Sequence, residues 1–220
     1  MTLPTFKNPK LFEQAFIHRS YLNEAPDNVE SNERLEFLGD SILSFFVSDY
    51  LYRTYPQYDE GVLTNLRSLL VNTKSLAQLS QELSFGDLLK LSKGEREAGG
   101  NKNQSLLADC FEAFVGALFI DSGEEVTKQF VSDSLLVKIP DIVAQKSFKD
   151  PKSLLQEYTQ AQKKGSPVYQ VINEEGPAHA RTFTIEVKVA NVAYGTGSGK
   201  SKQEAEEEAA KLALEKLEEK

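Results

Sequence analysis

The sequence predicts two folds in tandem: an all-α domain over residues 1–147, then a small α+β domain of order helix–strand–strand–strand–helix over residues 148–220. Three observations lead there. Up to about residue 147 the apolar residues recur at three- and four-residue intervals, which marks helical faces. Two of these stretches, residues 42–51 and 106–120, are apolar on nearly every side and must lie inside a helical core. After Pro151 the period becomes two in three short segments, as expected of antiparallel strands with one wet face.

The elements follow in order. Residues 8–23 read as a first helix with Leu11, Phe12, Ala15 and Phe16 as its core stripe. His18 is taken as a hydrogen-bonded packing residue, because no nucleophile or carboxylate stands beside it in the chain. A polar loop, 24–31, leads to Ser31 or Asn32 as the cap of a long second helix that Pro56 ends. Asp59-Glu60-Gly61 opens a third, placing Glu60 near the positive end of the helix dipole. Residues 73–89 give another helix, and 93–103 a glycine-rich, exposed polar loop. The apolar helix 106–120 is closed by Asp121-Ser122-Gly123, and 124–146 form one more, interrupted near Pro140. In the second domain a helix over 152–163 and a turn at 164–167 precede strands at 168–172, 181–189 and 192–195. A final helix over 201–217 buries Ala205, Ala209, Leu212, Ala213 and Leu217.

Composition narrows the function. No apolar run approaches the roughly 20 residues that span a bilayer. The opening Met-Thr-Leu-Pro-Thr-Phe-Lys lacks the basic-then-apolar order of a signal peptide, so a cytoplasmic protein is expected. The single cysteine, Cys110, excludes an internal disulfide and reads as a small buried thiol. One Cys and two His cannot build an ordinary zinc site, so any metal here has oxygen ligands. The net charge of −8 argues against a nucleic-acid partner until it is divided: residues 1–147 carry −7 and residues 148–220 only −1. The acidic excess of the first domain is compatible with bound divalent cations.

Two acidic stretches carry the chemistry. In Asn32-Glu33-Arg34-Leu35-Glu36-Phe37-Leu38-Gly39-Asp40-Ser41, positions 33, 36 and 40 are three and four apart and fall on one helical stripe. Like charges so placed repel, and the stripe is either a solvated face or part of a cation site. The second stretch, Leu106-Leu107-Ala108-Asp109-Cys110-Phe111-Glu112-Ala113, puts two carboxylates three apart in a helix that has to be buried. Unpaired, they would cost several kcal/mol each or take up protons. No Lys or Arg in that helix compensates them, which favours metal over a structural ion pair.

The first stretch closely resembles the signature of ribonuclease III, the second resembles that family's other acidic motif, and residues 148–220 are similar to a double-stranded-RNA-binding domain. The resemblance implies a magnesium-dependent endoribonuclease of double-stranded RNA, with Mn2+ as substitute and no His or Lys base. It implies metal ligation by Glu36, Asp40, Asp109 and Glu112, with Asp40 and Glu112 the most activity-sensitive. Glu33 and Glu60 become acids lining the catalytic valley, and Phe37 an aromatic that plugs a socket on a second copy. The family works as a homodimer, leaves 5′-phosphate and 3′-hydroxyl ends with short 3′ overhangs, and typically processes ribosomal-RNA precursors and some messenger and transfer RNAs. No membrane and no other protein partner is evident.

For RNA, the resemblance implies Gln156 on the first helix of the second domain, the loop 176–180 with His179, and Lys200, Ser201 and Lys202 at the start of the last helix. One departure weakens this match: Gln203 stands where a second lysine is usual, with Lys200 as partial compensation. The alternative is a non-cleaving RNA-binding scaffold of the same fold, which has no reason to carry six mutually repelling acids.

Overall fold

The computed structural model describes residues 3–144, 151–177 and 181–218, and divides into two compact units, residues 1–148 and 149–220. The first unit is helical: α1 (Pro9–Ala15), α2 (Glu33–Thr54), α3 (Glu60–Leu70), α4 (Thr73–Glu82), α5 (Phe85–Leu88), α6 (Lys93–Glu97), α7 (Gln104–Ser122), α8 (Glu124–Ser134) and α9 (Ile139–Ala144). The apolar helix α7 is its axis. Cys110, Phe111, Phe114 and Leu118 have no exposed surface. Phe114 lies among Phe6, Phe12, Phe16, Phe85 and Phe130, with ring centroids 5.1–6.2 Å away in tilted and edge arrangements. Asp59 caps α3 by accepting from the Val62 amide at 2.9 Å.

Several helices are broken where periodicity predicts continuity. The first ends at Ala15 because the chain extends at Ile17 and pairs with Lys90: Lys90 N–H donates to the Phe16 carbonyl at 2.8 Å, and His18 N–H to the Lys90 carbonyl at 3.1 Å. A 3-10 turn, Arg19–Asn23, follows. The predicted helix over 73–89 is split at Ser84, whose φ of 58° is left-handed. The predicted exposed loop 93–103 instead contains α6 and a 3-10 turn, Gly100–Lys102. It is tied down by the Arg96 guanidinium on the Leu89 carbonyl and by Lys93 N–H on Glu24. The last interruption falls at Leu135, ahead of Pro140, which sits in the first turn of α9 where a missing N–H costs nothing.

The second unit runs α10 (Pro151–Ala161), β1 (Val168–Glu175), β2 (Thr182–Val189), β3 (Val192–Gly199) and α11 (Lys202–Glu218), with an antiparallel sheet of order β1-β2-β3. Leu155, Val187, Ala209, Ala213 and Leu217 form its core, whereas Leu212 is 37% exposed and not buried as predicted. β3 runs past Gly195 to Gly199 because its glycines meet the α11 backbone. A Cβ at Gly195 would stand 2.3 Å from the Ala209 carbonyl oxygen, and one at Gly197 2.2 Å from the Ala209 nitrogen. Among the described residues no helix is long and apolar enough to cross a membrane.

Candidate metal centre

Helices α2 and α7 cross with their backbones almost in contact, and two glycines make that possible. A Cβ on Gly39 would lie 1.8 Å from the Glu112 carbonyl oxygen, and one on Gly116 2.2 Å from that of Leu35. The α2 N-terminus is fixed separately. Asn32 is buried, its amide N–H donating to the Ile17 carbonyl at 2.8 Å and its side chain to the Ala15 carbonyl at 3.2 Å, so it anchors the helix rather than capping it. These glycines and this anchor carry no charge and repeat no motif of ionisable groups. Their signal in the sequence is small or amide residues placed where helical propensity gives no reason for them.

The crossing brings three predicted ligands together. Glu36 of α2 and Asp109 and Glu112 of α7 each offer a carboxylate oxygen, all within 4.8 Å of one another. Burial pushes Glu112 up to about 8, helped by the charges of Asp40, Asp109 and Glu36. Glu36 is raised by burial and then by Asp109, Glu33 and Asp40. Asp109 is raised by burial, with His18 pulling the other way. Among the described residues, none of the three forms an ion pair with a lysine or arginine. Burying like charges together raises their proton affinity unless a cation neutralises them.

The other predicted site residues stand around this group. Asp40 is exposed, one turn beyond Glu36 and outside the three-oxygen group, yet its charge is the largest electrostatic influence on Glu112. Glu33 is exposed, 3.7 Å from Arg19, and accepts from the Ser31 hydroxyl at 2.9 Å. Glu60 opens α3 and accepts from Thr64; it lines a cleft of about 750 Å³ with Tyr52, Arg53, Tyr55 and Arg67, apart from the carboxylate group. Phe37 is 79% exposed, and Phe45 and Tyr52 farther along α2 are exposed too. His18 is hydrogen-bonded as expected, but it is not remote from every carboxylate. Its Nδ1 contacts the Ser20 hydroxyl at 2.9 Å, and its ring acts on the Asp109 carboxylate. Cys110 is buried, and burial pushes its thiol up, which leaves it unreactive.

In the second unit Gln156 is exposed on α10. His179 and residues 148–150 lie outside the described residues. The Ser201 hydroxyl accepts from the Glu204 amide at 3.1 Å and Glu204 accepts from the Lys200 amide at 2.7 Å, a reciprocal cap at the start of α11. Glu204 is thus a capping residue, and Glu206 pairs with Lys152 of α10. Gln203 bonds to Glu207, and Lys202 lies 3.6 Å from Glu174.

Comparison with known proteins gives this arrangement its lineage. Residues 8–139 match a family model described as Ribonuclease-III-like, and residues 151–217 one described as double-stranded RNA binding motif. A protein named Ribonuclease 3 from Bacillus cereus (strain G9842) is 49% identical over 216 residues, covering 98% of this chain and 88% of that one. The crystal structure of the nuclease domain of ribonuclease III from Campylobacter jejuni aligns with a TM-score of 0.55 at 36% identity, over 61% of this chain and 86% of that one. A second structure of that domain, described for flexibility in a region involved in dimer formation, aligns at 0.54 and 35%, over 59% and 90%. With both matches falling in the expected order, and the paired acids lying at the crossing of two helices inside the first, the chain belongs to the ribonuclease III family.

Proposed function

We propose that this endoribonuclease of double-stranded RNA works by divalent-metal catalysis, with Mg2+ as its ion and Mn2+ as substitute. The observation that carries the reading is the convergence of Glu36, Asp109 and Glu112 within 4.8 Å. The donor set fits such an ion: it is oxygen-only, partly buried, and holds protons abnormally tightly in the absence of a cation. When bound, the ion supplies positive charge to the phosphodiester and acidifies the attacking water.

The chain's own residues do the rest. Glu112 gives up its proton to become a ligand, Glu36 and Asp109 complete the oxygen cradle, and Asp40 extends it toward solvent. Water adds to phosphorus as the bond to the 3′-oxygen breaks, leaving 5′-phosphate and 3′-hydroxyl ends. Glu33 and Glu60 are assigned to the rim that receives the duplex. Phe37, projecting from α2 next to these ligands, is assigned to the contact with a second copy, so that each subunit cuts one strand and leaves a short 3′ overhang. Residues 1–147 are assigned catalysis and dimerisation, and residues 148–220 duplex binding through Gln156, His179, Lys200, Ser201 and Lys202. Ribosomal-RNA precursors, and some messenger and transfer RNAs, are the proposed substrates in a cytoplasmic setting.

The test is incubation with a long perfect duplex, with and without Mg2+, followed by sizing and end-group analysis. Cleavage is expected only with the ion. Glu112→Gln should keep duplex affinity while cleavage falls by more than the roughly 10–100-fold that loss of even an outer partner of a metal ligand costs. Unchanged cleavage in that variant would remove Glu112 from the mechanism.

A further inference from the structure

We propose that Arg181 is a phosphate-binding residue for duplex RNA, held beside Lys202 by the two oxygens of one carboxylate, Glu174. The inference rests on the reading of the second unit as the RNA-binding one. Arg181 Nη1 lies 3.5 Å from Glu174 Oε2, and Lys202 Nζ lies 3.6 Å from Glu174 Oε1. Lys202 also sits over the Phe183 ring, 5.6 Å from its centroid, and Phe183 is the strand partner of Glu174. Three chain segments therefore meet at one exposed point: the end of β1, the start of β2 and the first turn of α11.

The charge there does not cancel. Two cations share one anion, leaving a surplus of one positive charge, and all three side chains are well exposed, at 46%, 58% and 39%. Exposed ion pairs at such distances are worth little, so a phosphate can displace the carboxylate without a large penalty. Arginine is well suited to take its place, since its planar fork meets phosphate oxygens in pairs. Lys202 is already assigned to the RNA, and Arg181 is tethered to the same group. The first turn of the helix offers no second lysine: Gln203 is neutral and bonds to Glu207. The cation missing from the start of the helix is thus supplied by the sheet.

The test is the salt dependence of binding by the full-length protein to a duplex of about 20 base pairs, longer than the ~16 such a module spans, in EDTA so that nothing is cut. Arg181→Gln should lower the slope of log affinity against log salt by about 0.9, the value of one phosphate contact, and weaken binding several-fold at physiological salt. Arg181→Lys should restore most of the slope. An unchanged slope in Arg181→Gln overturns the inference. Lys202→Gln separates it from the broader reading. If Lys202→Gln lowers the slope and Arg181→Gln does not, only the assignment of Arg181 falls; if neither does, this face is not the RNA-binding one and both fall.

Discussion

At the level of the single residue, Glu112 links stability to pH. Its ordinary value is 4.5 and the fold raises it to about 8, burial being the main cause. Between those two pH values the native protein holds a proton that the unfolded chain has released. Unfolding then gives up a proton, so the metal-free protein should lose stability as pH rises from about 4.5 to about 8 and level off above. Glu36 and Asp109 are raised as well and act in the same sense. Because all three are partly open to solvent, the effect should amount to about 1–2 kcal/mol, a few degrees in melting temperature for a chain of this size. A divalent ion held by the deprotonated set, as proposed, should reverse the trend. Melting curves in EDTA and in Mg2+ at pH 5 and pH 8 check this: the ion should stabilise far more at pH 8. In EDTA at pH 8, Glu112→Gln should be more stable than the native protein. A metal-free melting temperature flat across this range would contradict the account.

At the level of elements, the charges were easier to read than the contacts that place them. Helical spacing located both acidic stretches, and the Asp59 start of α3 followed from its capping chemistry. The breaks at Phe16 and Ser84 did not, because their causes are a bridge to Lys90 and a left-handed residue, neither of which leaves a periodic trace. Gly39 and Gly116 matter most to the site and leave the least periodic trace. In a sequence they read as weak points in a helix, yet they set the distance between the two carboxylate-bearing backbones. Gly→Ala within an ordinary exposed helix stabilises by roughly 0.5–1 kcal/mol. Here the sign should invert. A Cβ at Gly116 would stand 2.2 Å from the Leu35 carbonyl oxygen, so the helices must separate and Glu36 must withdraw from Asp109 and Glu112. Gly116→Ala is expected to destabilise by about 1–3 kcal/mol, as overpacking does, and to weaken Mg2+ binding at least tenfold by calorimetric titration. A stabilised variant with native metal affinity would show that the crossing has slack and that the glycines do not set the site.

At the level of the whole molecule, the net charge of −8 conceals a division of labour that local charge counts recover: −7 before residue 148 and −1 after it. Each unit has its own core, one gathered around Phe114 and the other around Leu155, Val187 and Ala209. Glu60 lines a cleft apart from the three converging carboxylates and Phe37 stands exposed beside Glu36, and the proposed assignment of both depends on a second copy bringing them to a shared site. The consequence is a prediction about truncation. Residues 1–147 alone retain the carboxylate group and the exposed α2 surface but lose Lys200, Lys202 and Arg181. Duplex affinity in that fragment should fall steeply near physiological salt, and the salt slope should flatten by about 0.9 for every phosphate contact removed. Ion-dependent cutting should persist at low salt, where the remaining attraction is least screened. Cleavage and binding assays at 20 and 150 mM salt distinguish the outcomes. Loss of all cutting at low salt, in a fragment that still folds and binds Mg2+, would mean that the second unit takes part in the chemistry rather than only in holding the RNA.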